Sequence, residues 1–229
     1  MKKKMSKRYK KIIDSIQDTK PITIEEAIKK VKTNCTTKFD ESIDISFKLN
    51  LKQKKDEATI RTIVNLPNGN GKKCTVAVLC EENKIQEAKE SGADIYGNEN
   101  LITDINNGKI NFQKLVSTPG MMPKMGKLGK ILGPKGLMPN PKLGTVTNNI
   151  KGIVKSIKAG QIEIKNDKDG NIAASIGRKS FADDKIKANF NSIFETISKE
   201  RPKNIKGNFI LSTFLTSSMG ASYKLKLNT

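Results

Sequence analysis

Ile43, Ile45, Phe47, Leu49 and Leu51 alternate with Ser42, Asp44, Ser46, Lys48 and Asn50, a period of two that predicts a strand buried on one face. Upstream, residues 2–16 read as a basic helix with Ile12, Ile13 and Ile16 on one side. Thr23 with Glu26 forms a capping-box pattern ahead of Ala27, Ile28 and Val31, so a second helix follows. Beyond the polar loop 53–57, residues 59–66 read as another strand. At Pro67-Asn68-Gly69-Asn70-Gly71 the pattern changes. The run CTVAVLC from Cys74 to Cys80 is continuously apolar, as in a strand covered on both faces. A helix over 82–91, a strand over 93–96, a helix capped by Asn98 and carrying Leu101, Ile102 and Ile105, and a strand over 114–118 come next. Ile150, Ile153, Val154 and Ile157 mark a further helix.

After Gly160 the alternation returns. Ile162 and Ile164, the turn Asn166-Asp167-Lys168-Asp169-Gly170, then Ile172, Ala174 and Ile176 read as a hairpin. A helix with Ile186, Phe190, Ile193, Phe194 and Ile197 precedes strands over 208–216 and 223–227, which flank the loop 217–222. The fold class is therefore mixed α+β and α/β in two domains. Residues 1–67 and 160–229 form a discontinuous antiparallel α+β domain, and residues 68–159 an inserted open-sheet, Rossmann-like α/β domain. The chain crosses between them near Pro67 and Gly160, and contains no internal repeat.

Charge sharpens this picture. The net charge is +20, from 43 Lys and Arg against 23 Asp and Glu, and only Arg8, Arg61, Arg178 and Arg201 are arginine. A lysine-rich genome-wide bias would raise Lys everywhere but would not remove acids. Yet residues 105–162 hold ten Lys and no Asp or Glu, whereas 81–104 hold seven acids and two Lys. The segment 119–144, PGMMPKMGKLGKILGPKGLMPNPKLG, has six Gly, five Pro, five Lys and four Met. Pro and Gly at that density argue against a regular helix, and the spaced Leu128, Ile131, Leu132, Leu137 and Met138 argue against a floppy linker. It reads as a shaped cationic loop leaving the ligand edge of the inner sheet, with a nucleic acid as the leading partner.

Several chemistries find no support. There is no His, which removes imidazole bases, Ser-His and Cys-His nucleophile pairs and most zinc sites. The three Cys have no CxxC spacing and read as small hydrophobes in a reduced compartment. No Gly satisfies Walker spacing, and Cys74 stands where a dinucleotide motif starting at Gly69 needs its third Gly. Asp167-Lys168-Asp169-Gly170 begins like a calcium loop, but Gly falls at the fourth position and no acid follows at the twelfth. Neither a signal-peptide core nor a run of membrane-spanning length is present. We expect no catalytic residues, no metal, no cofactor and no membrane partner.

Two clusters outside the inner domain admit two readings. Lys38-Phe39-Asp40-Glu41-Ser42 and Ser217-Ser218-Met219-Gly220 each combine hydroxyls, one bulky apolar residue and open backbone. Either Phe39 is core and the serines form turns, or the clusters pack on riboses and bond 2′-hydroxyls of a folded RNA.

The string Met125-Gly126-Lys127-Leu128-Gly129-Lys130-Ile131-Leu132-Gly133-Pro134-Lys135-Gly136-Leu137-Met138-Pro139-Asn140-Pro141-Lys142 resembles the signature of the bacterial-type L-one family of the large ribosomal subunit. Lys38-Phe39-Asp40-Glu41, Glu90-Ser91-Gly92-Ala93-Asp94, Lys158-Ala159-Gly160 and Ser218-Met219-Gly220 match in the same order. The resemblance implies a non-catalytic protein on the cytoplasmic ribosome, monomeric when off it. It would anchor on large-subunit rRNA to form the mobile stalk near the tRNA exit site, help release deacylated E-site tRNA, and repress translation of its own operon mRNA. Carried over by position, the rRNA-facing residues would be Lys38, Phe39, Ser42, Asp44, Lys168, Ser218, Met219 and Gly220. Lys127, Lys130 and Lys135 would face tRNA. The chain departs from the family at Gly120, usually Asp, at Ser218, usually Thr, and at Asp44, usually Glu, and it uses Lys for many Arg, so bidentate contacts would be fewer.

Overall fold

Thr23 starts the one helix whose beginning the sequence specifies outright. Its hydroxyl accepts from the Glu26 N–H while the Glu26 carboxylate accepts from the Thr23 N–H, closing the capping box. The computed structural model describes residues 6–14, 16, 20–51, 60–202, 205 and 207–226. In chain order these form α1 (Lys7–Asp14), α2 (Ile24–Asn34), β1 (Ser42–Leu49), β2 (Arg61–Asn65), β3 (Val76–Leu79), α3 (Ile85–Glu90), β4 (Ile95–Gly97), α4 (Glu99–Asn106) and β5 (Lys114–Ser117). There follow α5 (Met122–Met125), α6 (Gly129–Leu132), α7 (Ile150–Lys158), β6 (Gln161–Lys165), β7 (Asn171–Arg178), α8 (Asp183–Lys199), β8 (Ile210–Ser217) and β9 (Tyr223–Lys224). Residues 2–5 and 15 of the expected basic helix, the loop 53–57 with Thr59, and Leu227 lie outside the described residues. Within α1, Ile12 is buried but Ile13 is 38% exposed, so the isoleucines do not share one covered side.

The chain divides into two units, Met1–Gly71 with Glu163–Thr229, and Lys72–Ile162. The first is built on an antiparallel sheet in the order β7-β1-β8-β9. The alternation along β1 is realised in full: Ile43, Ile45, Phe47 and Leu49 are buried, and the intervening residues are half-buried. Phe47 stacks on Phe190 of α8 with ring centroids 6.4 Å apart, and Phe190 on Phe194 at 5.9 Å. Ion pairs of Lys32 with Asp183 and of Lys187 with Glu25 (2.5 Å) join α2 to α8.

Asn189 interrupts the apolar stripe of α8 and is fully buried. Its Nδ2 donates to Gly69 O and Ile176 O, both at 2.8 Å, and its Oδ1 accepts from the Asn68 N–H at 3.1 Å. It thereby staples α8 to β7 and to the Pro67–Gly69 turn. Replacing Asn189 with Ala leaves those backbone groups unpaired, so we expect a loss of about 2 kcal/mol, read as a shift in the thermal midpoint.

The expected hairpin after Gly160 is not one. β6 pairs with β2 in a separate two-stranded sheet, β7 pairs with β1, and a single bridge, Asn166 to Ile172, links the two strands. Ile164, Ile172 and Ile176 are buried as read, while Ile162 and Ala174 are only half-buried, and each strand finds its ladder with a distant partner. Gly170 ends the connecting turn at φ 76°, where a Cβ would stand 3.1 Å from Leu49 O. Only glycine fits both constraints.

The second unit holds a parallel sheet in the order β4-β3-β5. All four residues of β3 are buried, with Val76 and Val78 against Ala88 of α3 and Ile150, Val154 and Ile157 of α7. Ala77 and Leu79 face the opposite side, against Leu101 and Ile105 of α4. Helices on both faces explain the continuous apolar run. Asn98 stands at the start of α4 but makes no side-chain cap bond, because ψ −121° removes it from the extended geometry that capping uses.

The 119–144 segment is more helical than its composition predicts. It is a relay of single turns: 3₁₀ at Pro119–Met121, α5, 3₁₀ at Gly126–Leu128, and α6, with a further 3₁₀ turn at Pro141–Leu143. Pro123 falls in the first turn of α5, where a missing N–H costs nothing. Met121, Met125, Leu128 and Leu132 are spaced four, three and four apart, the helical period, and all are buried against the Ala77–Leu79 side of the sheet. Their burial offsets the roughly 1 kcal/mol cost of each helical Gly.

Candidate nucleic-acid interface

In the antiparallel ladder of β1 and β8, Ile43 faces Ser217. The turn entering β1 and the turn leaving β8 therefore meet at one end of the sheet. Ser218 secures this meeting twice: its N–H donates to Ser42 O at 3.1 Å, and its Oγ accepts from the Ser42 N–H at 3.1 Å.

Between the two turns lies Glu41, whose side chain is fully buried. Its carboxylate accepts from the Thr37 hydroxyl at 2.9 Å, the Thr37 N–H at 3.4 Å and the Met219 N–H at 3.1 Å. Burial by itself would raise this carboxyl. The nearby Ser217 hydroxyl and the hydrogen bonds from the Met219 N–H and Thr37 outweigh it and hold the group below its ordinary value of 4.5. Asp40, beside it, accepts from Ser180 N–H (3.1 Å) and Oγ (2.8 Å), while Arg178 donates to Asp40 O (3.3 Å) and Gly71 O (3.1 Å). Arg8 on α1 donates to Met219 O at 2.7 Å and to the Thr36 hydroxyl at 3.3 Å.

With both backbones fixed, the side chains of Phe39 and Met219 are left 53% and 50% exposed. Phe39 is not core. Lys38 and Ser218 are exposed around them, and Ser42, Asp44 and Gly220 are half-buried. Gly220 is tightly placed: a Cβ there would stand 2.3 Å from the Ser217 Oγ, so any larger residue requires that hydroxyl to turn away.

Lys168 is not part of this end. β1 pairs Ser42 with Arg178 but Lys48 with Asn171, so the Lys168 turn lies at the other end of β1, about 20 Å along at 3.4 Å per residue. Asp167 organises that turn, accepting from the Asp169 and Asn171 N–H groups at 3.0 and 2.6 Å. Both of its carboxylate oxygens accept within the turn, and the described residues contain no metal-holding cluster of acids and thiols. Lys48 shares the outward face of β1 with Ser42, Asp44 and Ser46, and its Nζ donates to Asp169 O at 2.7 Å. This row connects the two ends. Glu41, Arg8 and Lys48 were missed by sequence reasoning; only Lys48 carried a signal, its parity with Ser42 and Asp44.

In the inner unit Lys127, Lys130 and Lys135 are exposed on the helical relay, and among the described residues none meets a carboxylate. Lys124 differs, being paired with Glu99 at 2.6 Å. Near the relay's start, the Glu81 side chain occupies the space over Gly120, where a Cβ would stand 1.9 Å from Glu81 Oε1. An acid thus lies over this position although residue 120 itself supplies none. Burial pushes up the thiols of Cys35, Cys74 and Cys80, which leaves them poor nucleophiles. No described helix is long and apolar enough to cross a membrane.

The sequence model of the ribosomal protein L1p/L10e family matches residues 28–221, which include both turns and the lysine relay. The chain is 57% identical over 223 residues to the large ribosomal subunit protein uL1 of Pelagibacter ubique, covering 97% of each. It is 42% identical over 226 residues to the uL1 of Prochlorococcus marinus (99% and 96% covered) and 42% over 223 residues to that of Rickettsia akari (96% and 93%). A match of this extent, on a split α+β unit around a parallel α/β unit, establishes that the chain belongs to the ribosomal protein L1p/L10e family.

Proposed function

We propose that the chain is a non-catalytic structural component of the large ribosomal subunit that binds large-subunit rRNA through the Phe39–Met219 end of its first unit. The observation that carries this reading is the pair of half-exposed apolar side chains held on a rigid base by buried Glu41. A soluble surface has little reason to fix a Phe and a Met outward with that many hydrogen bonds. A shallow RNA minor groove offers riboses for them to pack on, with Ser42 and Ser218 placed to meet 2′-hydroxyls. The +20 field supplies long-range attraction and phosphate contacts. Domain roles follow: the discontinuous unit docks, and the inner unit carries Lys127, Lys130 and Lys135 toward E-site tRNA and supports release of deacylated tRNA. A leader in the chain's own operon mRNA that copies the rRNA shape would compete for the same face and so repress translation.

Sedimentation with large subunits tests the assembly: the chain should stay bound through a high-salt wash, and quantitative loss into the supernatant would contradict it. The tRNA role separates from it. Lys127→Gln with Lys130→Gln should leave rRNA affinity within about twofold while slowing release of deacylated tRNA from reconstituted ribosomes. A loss of rRNA affinity instead would move those lysines to the docking face. A nucleotide-dependent enzyme is the competing reading of the inner sheet. It is disfavoured by Glu81, whose carboxylate fills the space over Gly120 just past the carboxyl ends of β3 and β5, where phosphates would have to lie.

A further inference from the structure

We infer that α1 is a second RNA-gripping element, in which a cleft between α1 and the end of α2 takes one phosphodiester of the bound RNA against Lys7 and Lys11. This rests on the rRNA-docking reading above and extends it to residues outside the matched 28–221 region. The cleft has a volume of about 470 Å³ and is lined by Lys7, Arg8, Lys11, Ile12, Asn34 and Thr36.

Three features point to an anion there. First, α1 reads KRYKKIID, with four cations in eight residues and its single acid at the far end. Second, Lys7 and Lys11 lie four residues apart, hence on one face about 6 Å apart along the axis. Like charges at that spacing destabilise a helix, and an anion between them removes the repulsion. Both are exposed and, among the described residues, neither meets a carboxylate, whereas Lys32, Lys124, Lys158 and Lys187 all do. Third, the cleft is fixed beside the docking face. Buried Ile12 anchors α1, and Arg8 spans from it to Thr36 and to the Met219 carbonyl. An RNA strand packed on Met219 passes the cleft mouth within one nucleotide or two.

The test uses the full chain and protein-free large-subunit rRNA, with affinity measured by filter binding between about 50 and 200 mM salt. Lys7→Gln with Lys11→Gln should weaken binding about three- to tenfold at the low-salt end and make the slope of log K on log salt shallower by about one. Lys151→Gln with Lys155→Gln on α7, a pair of equal spacing and exposure in the other unit, should change neither. If the α1 variant keeps the parent affinity and slope while Phe39→Ala with Met219→Ala loses binding, the inference is overturned and the docking reading stands. A fall in affinity with an unchanged slope also overturns it, since no phosphate contact would have been lost. If the Phe39 and Met219 variant binds as the parent does, the docking reading fails and this inference fails with it.

Discussion

Phe39→Ala combined with Met219→Ala should reduce affinity for large-subunit rRNA by about 10²- to 10³-fold while leaving the fold intact. Both side chains are about half exposed, so truncation removes little buried surface, and the thermal midpoint should move by no more than a degree or two. Anchors at the centre of an interface behave differently, each costing on the order of 2 kcal/mol when cut to Ala, and about 1.4 kcal/mol is a factor of ten. The loss should persist at high salt, because packing on riboses releases no counterions. Equal losses for this variant and for removal of any two exposed lysines would mean that the chain binds by charge alone.

Glu41→Gln should lower stability by about 3 kcal/mol at neutral pH, a fall of roughly 5–10 °C in the thermal midpoint, and should weaken rRNA binding through a residue that RNA never touches. The carboxylate takes three hydrogen bonds from Thr37 and Met219; an amide turns part of its edge into a donor facing other donors. The pH dependence follows from the lowered carboxyl. A group held below 4.5 in the folded chain stabilises it fully above that pH, and the contribution disappears as the pH falls below 4.5 through the folded value. The difference between parent and variant should therefore be constant from neutral pH down to about 5 and shrink below it. Urea titrations across that window check this, and a difference independent of pH would show that folding does not shift the Glu41 carboxyl, so that the buried hydrogen bonds do not hold it down.

Much of the architecture was readable from local pattern. The β1 alternation, the Thr23–Glu26 box and the CTVAVLC run each name their own environment, because side-chain period and capping are decided within a few residues. Pairing is decided elsewhere. β6 and β7 look like a hairpin from their own residues, yet β2 and β1 claim them from a hundred or more positions away. The relay at 119–144 was readable in part: Pro and Gly exclude a regular helix, as found, but the single turns are set by the Met121, Met125, Leu128, Leu132 spacing, which depends on a sheet being there to cover it. The proposed docking residues Phe39 and Met219 could be named, but their base could not. Glu41 reads as one more surface acid, and only the convergence of two turns 178 residues apart makes it a buried anchor.

The most direct measurement of the central claim is a competition at high salt between unlabelled large-subunit rRNA and duplex DNA of the same sequence for the chain bound to labelled rRNA. Docking on a ribose-rich folded surface predicts that rRNA displaces the label with little loss of potency as salt rises, while DNA fades to no competition. Equal displacement by both polymers at every salt concentration would contradict it.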